Sequence, residues 1–211
     1  MNSLEEIYNK TPKFSDFSSH YMERLYMLSH TIPTESLNRS IELILKTARS
    51  NGVIYCLGNG GSSSTAEHFA NDISMCPENS LYNLKAISLT SNIALYSAIA
   101  NDHGFENVFA IQLQKFLRPQ DLVVAFSASG NSSNIINAFE YAKELGCPSL
   151  GICGFDGGAL KDLSDVCIHI SSEQGEYGPV EDLHLILNHM IGNYLKLFLR
   201  NEIPQDQHYL C

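Results

Sequence analysis

The sequence predicts an α/β fold: a doubly wound, five-stranded parallel sheet flanked by helices, with two N-terminal helices ahead of it. Three observations carry this expectation. Five short apolar runs are continuous rather than alternating, as strands buried on both faces must be. Helical patterns separate the first four of them, the rhythm of a sheet built by crossovers. Glycine- and serine-rich turns follow the first and third runs directly, at the strand ends where open parallel sheets place ligands.

The first half-dozen residues are polar and are expected to be loose. Over residues 17–32, Tyr21, Leu25, Leu28 and Ile32 recur at helical spacing. Pro33-Thr34-Glu35 restarts the pattern, with Thr34 as the expected N-cap. That second helix sets Leu37, Ile41, Ile44 and Ala48 on one face and stops at Asn51-Gly52. The strands follow at residues 53–57, 85–89, 122–126, 149–153 and 166–170. Between them lie helical patterns at 63–73, at 93–100 with 108–117, and at 135–145; a short glycine-flanked segment, 159–163, precedes the fifth strand. A strongly apolar helix over 180–200 closes the fold. No repeat or low-complexity linker divides the chain. It reads as one domain over 1–211: N-terminal helices in 1–50, an α/β core in 51–200 and a tail in 201–211.

Composition narrows the function classes. With 44% hydrophobic and 17% charged residues, 211 residues suffice for one well-covered sheet. No apolar run approaches the roughly 18–20 residues of a membrane span, so no membrane partner is expected. The N-terminus lacks a basic region followed by an apolar stretch, which points to a cytoplasmic protein. Thirteen basic against 23 acidic residues give a net charge of −10, without a basic cluster, which argues against nucleic acid. The six cysteines are scattered, without a C-x-x-C pair, and suggest no disulfide framework.

An acidic protein can hold an anion only locally, with loop amides, helix N-termini and hydroxyls. The two turns offer these. Gly58-Asn59-Gly60-Gly61-Ser62-Ser63-Ser64 follows the first strand, and Ser127-Ala128-Ser129-Gly130-Asn131-Ser132-Ser133-Asn134 follows the third. One such cluster is ordinarily only a turn; two at equivalent strand ends of one sheet point to a phosphate cradle. Neither is a dinucleotide fingerprint, since Ser63 stands at the third glycine position, and no Walker lysine follows.

A second constellation lies on the helices. His68 and Asp72, at i, i+4, share a face of the helix that leaves the first turn. Glu181, Asp182, His184 and His189 open the last helix; Glu181 and His189, eight residues apart, share a face approximately, and His184 is the alternative partner. A histidine on an apolar helix is ordinarily a core residue, and acids at a helix start complement its dipole. Two helices each carrying histidine and carboxylate nevertheless make a plausible divalent-metal site, and the same groups suit proton transfer between sugar carbons.

The segments G-N-G-G-S-S-S-T-A-E-H-F-A-N-D, N-D-H-G-F, S-A-S-G-N-S-S-N, G-x-D-G-G and V-E-D-L-H-x-x-x-N-H resemble the sedoheptulose 7-phosphate isomerases (phosphoheptose isomerases) of the sugar isomerase, or SIS, domain family. The resemblance covers nearly the whole chain. It implies an aldose–ketose isomerase acting on a phosphosugar through an enediol, a homotetramer with sites between subunits, a zinc ion, and a place in lipopolysaccharide or capsule sugar synthesis. Position by position, it implies His68, Asp72, Glu181 and His189 as metal ligands, with Asp72, Glu181 and His189 catalytic. It implies substrate or phosphate contacts at Asn59, Gly60, Ser62, Asn92, Ser127, Ser129 and Ser132.

The chain departs from the family at Asp72 (usually Glu), Glu181 (usually Gln), Ala128 (usually Thr), Asn92 (often Asp) and Gly178-Pro179 (often an Asp or polar pair). Two alternatives follow: an isomerase for a different phosphosugar, or a non-catalytic phosphosugar-binding adaptor resembling the DnaA initiator-associating protein. The histidine and carboxylate set favours the enzyme.

Overall fold

Alternate residues of the central strands leave the sheet in opposite directions and build two cores. Cys56, Val124 and Phe126 pack into one; Tyr55, Leu57, Val123 and Ala125 pack into the other. In the computed structural model, which describes residues 2–10, 12–77 and 82–202, these strands belong to a five-stranded, fully parallel sheet. The strands are β1 (Ile54–Gly58), β2 (Ala86–Ser88), β3 (Leu122–Ser127), β4 (Ser149–Cys153) and β5 (Val166–His169), in the order β2-β1-β3-β4-β5. The order reverses beside β1 and β3, so the turns after these two strands share one crevice.

Helices cover both faces, which is why the strands read as continuous apolar runs. Residues of α2 (Phe14–Ser29), α3 (Thr34–Arg49), α4 (Gly61–Ser74) and α9 (Tyr177–Glu202) enter the first core. Residues of α5 (Ile93–His103), α6 (Ala110–Phe116), α7 (Ser133–Leu145) and α8 (Gly158–Leu163) enter the second. Among the described residues no helix is long and apolar enough to cross a membrane. Cys56, Cys76, Cys147 and Cys153 are buried free thiols; burial pushes that of Cys76 up to about 11.

Three expectations need correction. The start of the chain is not loose: Ser3–Lys10 forms a helix, α1, so three helices precede the sheet. It is tied down at its first residue, where the Ser3 amide donates to a Glu173 carboxylate oxygen at 2.9 Å and its hydroxyl bonds Glu176. Thr34 is not the N-cap of α3. Pro33, extended at φ −66° and ψ 125°, takes that place and makes Thr34 the first helical residue. The last helix begins at Tyr177, three residues before the expected start, which places Glu181 in its second turn. The expected tail lies, from residue 203 onward, outside the described residues.

Candidate active site

The crevice at the β1 and β3 ends is built by glycine. Gly60, at φ 53°, turns the chain from β1 into α4, a conformation L side chains rarely adopt. Gly130, at φ 63°, lies so close to the Gly157 carbonyl that a β-carbon would collide with it. The two turns are then locked together. Asn59 and Asn134 exchange side-chain amide hydrogen bonds at 2.9 and 2.8 Å, and Asn134 is fully buried.

Between the turns lies a cavity of about 150 Å³, ample for a phosphate group and several waters. Its hydroxyl wall is Ser62, Ser127, Ser129 and Ser132, and among the described residues no lysine or arginine lines it. The serines are prepared as donors. Ser127 Oγ accepts the Gly130 N–H at 3.1 Å and Ser129 Oγ accepts the Asn131 N–H at 3.3 Å, leaving each O–H to turn outward. Ser132 occupies the N-cap of α7 without spending its side chain on a capping bond.

From α9, Tyr177 and Glu181 complete the wall one turn apart. Glu181 faces the first turn, its Oε2 lying 2.6 Å from where a β-carbon on Gly61 would stand. The cavity is therefore bounded on the α9 side by a carboxylate.

Further along α4 and α9 from the cavity residues Ser62 and Glu181, His68, Asp72 and His189 come together, with one ligand atom from each within 4.8 Å of the others. His68 Nε2 is 3.5 Å from Asp72 Oδ2, and the two imidazole rings meet edge to face at 5.0 Å. Lys196 Nζ lies 4.0 Å from the other Asp72 oxygen. Both histidines are exposed, so the group is open to solvent. Two imidazoles and a carboxylate with an open side fit the donor set of a catalytic zinc ion.

The expected site residues thus divide. Asn59, Ser62, Ser127, Ser129, Ser132 and Glu181 line the cavity; His68, Asp72 and His189 form the histidine–carboxylate group, from which Glu181 is absent among the described residues. Gly60 shapes the first turn without lining the cavity. Asn92 is likewise outside it: its side-chain oxygen caps α5 by accepting the Leu95 N–H at 3.1 Å. His184, weighed above as a partner, is not at the site. It is fully buried beside Phe126, with ring centroids 5.9 Å apart, and burial pushes its pKa down to about 3.

The residue-by-residue reading missed Asn134 and Tyr177. Asn134 stood last in the second serine-rich turn, and Tyr177 stands four residues before Glu181, on the same helical face.

The family model for the SIS domain matches residues 19–154. The chain belongs to the SIS domain family. Within it, the chain is 37% identical over 157 residues to a phosphoheptose isomerase of Helicobacter pylori, covering 74% of this chain and 81% of that one. A phosphoheptose isomerase of Crocosphaera subtropica is 36% identical over 156 residues, covering 74% and 79%. The solved structure of the phosphoheptose isomerase GmhA from Neisseria gonorrhoeae superposes with a TM-score of 0.75 at 29% identity, covering 85% of this chain and 96% of that one. This SIS domain is thus a member of the phosphoheptose isomerase family, and its parallel sheet and flanking helices are those of that fold.

Proposed function

We propose that the chain is an aldose–ketose isomerase that converts sedoheptulose 7-phosphate to a heptose 7-phosphate through an enediol. One observation carries this reading: a cavity walled by serine hydroxyls, with no lysine or arginine among its described lining residues, shares helices α4 and α9 with a His/Asp/His group. From Glu181 to His189 the helix rises about 12 Å, a span an extended seven-carbon sugar phosphate covers. The phosphate lies among Ser62, Ser127, Ser129 and Ser132, and the carbonyl end reaches His189.

Asp72, in the group with His189, takes the proton from C1 of the ketose and returns it to C2, while Glu181 stands at the phosphate end. His189 moves the accompanying proton between the two oxygens, so the exchange is internal and needs no outside oxidant. His68, Asp72 and His189 would hold a zinc ion, which supplies Lewis-acid polarisation of the substrate carbonyl when bound. We further read the assembly as a homotetramer in the cytoplasm with sites between subunits. Apolar side chains left exposed on α9, among them Met190, Tyr194 and Leu197, support a second copy packing there.

The test is an isomerase assay with sedoheptulose 7-phosphate, with and without a chelator, following the aldose. Turnover that a chelator removes supports both the enzyme and the metal. Binding of the phosphosugar without turnover would instead support an adaptor, or an isomerase of another phosphosugar.

A further inference from the structure

Tyr177 forms part of the cavity wall, yet the mechanism above gives it no task. The residue is 54% exposed, so packing does not account for it. The backbone around it is nevertheless tightly held. On one side Glu176, fully buried, accepts two hydrogen bonds from the Arg24 guanidinium at 2.9 and 2.7 Å, one from the Glu173 N–H at 2.8 Å and one from the Ser3 hydroxyl. Burial pushes the Glu176 carboxyl up, but these donors outweigh it and hold it below the ordinary glutamate value. The Glu176 carbonyl then accepts the Val180 N–H at 3.2 Å, so the clamp fixes where α9 begins.

The ring of Tyr177 rests edge-on against Phe155 at 5.0 Å. Phe155 is itself held in the left-handed region, at φ 50°, where an aromatic residue is a genuine outlier. Its N–H donates to Ser172 Oγ at 2.9 Å and its carbonyl faces His169 Nε2 at 3.0 Å. Strained backbone on one side and a buried ion pair on the other thus present a half-exposed phenol to a cavity whose other side-chain donors are the serine hydroxyls and the Asn59 amide.

We propose that Tyr177 is a substrate-binding residue that donates its hydroxyl to the bound phosphate and closes the cradle from the α9 side. Arg24, acting through Glu176, is its positioning residue. The inference rests on the phosphosugar reading above and adds a donor to it. With no lysine or arginine among the described residues lining the cavity, every neutral donor to a dianion counts.

The experiment compares wild type with Tyr177→Phe, which keeps the ring against Phe155 and removes only the hydroxyl. KM for sedoheptulose 7-phosphate is expected to rise about tenfold or more, with a much smaller change in kcat, and the calorimetric Kd for inorganic phosphate to weaken in parallel. Arg24→Met is expected to weaken phosphate binding in the wild-type background and to add little in the Tyr177→Phe background. Unchanged KM and phosphate Kd in Tyr177→Phe overturn the proposal; additive losses in the double variant remove Arg24 from it. If wild type fails to turn over sedoheptulose 7-phosphate, the functional reading falls, and the phosphate Kd values still decide Tyr177.

Discussion

Two histidines five residues apart on α9 live in opposite environments. His189 is exposed and meets His68 and Asp72 across the gap to α4. His184, about 140° round the helix at 100° per residue, faces inward and is sealed against Phe126. Neither of its ring nitrogens, nor the side chain of fully buried Asn188 one turn on, has a hydrogen-bond partner among the described residues. The same side chain thus stands exposed beside a histidine and a carboxylate on one face and is held neutral by burial on the other. Only the facing element differs: an α4 that offers a histidine and a carboxylate, or a sheet that offers a phenylalanine. A histidine becomes a functional group by its neighbours, not by its helix.

The largest expected effect is on the outer face. Replacing His189 with alanine should lower kcat by about 10²–10⁴, the usual worth of a positioned acid–base group, while circular dichroism and thermal unfolding stay close to wild type. Turnover near the wild-type rate would show that the outer face does no chemistry and dissolve the contrast.

The next effect lies away from α9 and tests binding without chemistry. Ser129→Ala removes one cradle hydroxyl and should cost about 1.5–3 kcal/mol in phosphosugar binding, or roughly ten- to a hundredfold in Kd. An unchanged Kd by calorimetry would take Ser129 out of the cradle.

The smallest effect is on the inner face and appears only in acid. Burial depresses the folded-state pKa of His184 from its ordinary 6.5 to about 3. Below pH 6.5 the unfolded chain therefore binds a proton that the folded chain refuses. The stability tied to neutral His184 is fully present above that pH and is lost as pH falls from 6.5 toward 3. Between pH 7 and pH 5 the loss should be about 2 kcal/mol. His184→Leu should lack this portion of the acid destabilisation, measured as the difference in urea unfolding free energy at the two pH values. An identical pH slope in both proteins would show that His184 is not sealed.

Much of this could be read from the chain. The five continuous apolar runs placed the strands because both sheet faces are covered, and the serine turns after the first and third strands lie at the crevice for the topological reason expected. The spacing of His68 and Asp72 gave their shared face. What failed had physical causes too. Thr34 is not the cap because it already has helical geometry: the extended residue at the helix entrance is Pro33, which makes no side-chain capping bond. The start of the chain found order through Ser3, whose partners, Glu173 and Glu176, lie some 170 residues away.

By itself, then, the sequence determined what short-range physics determines: the periodicity of the elements, the parallel sheet, the glycine turns and the residue types available for chemistry. Only the tertiary structure decided which of them meet. Helical spacing put Glu181, His184 and His189 within two turns, but it carries no information about what stands opposite each face. The packing of α9 between sheet, α4 and the two serine turns divided them into a cavity wall, a core residue and a member of the histidine–carboxylate group. Those partners lie more than a hundred residues away in the chain for His189 and some sixty for His184, and no local pattern encodes contacts of that range.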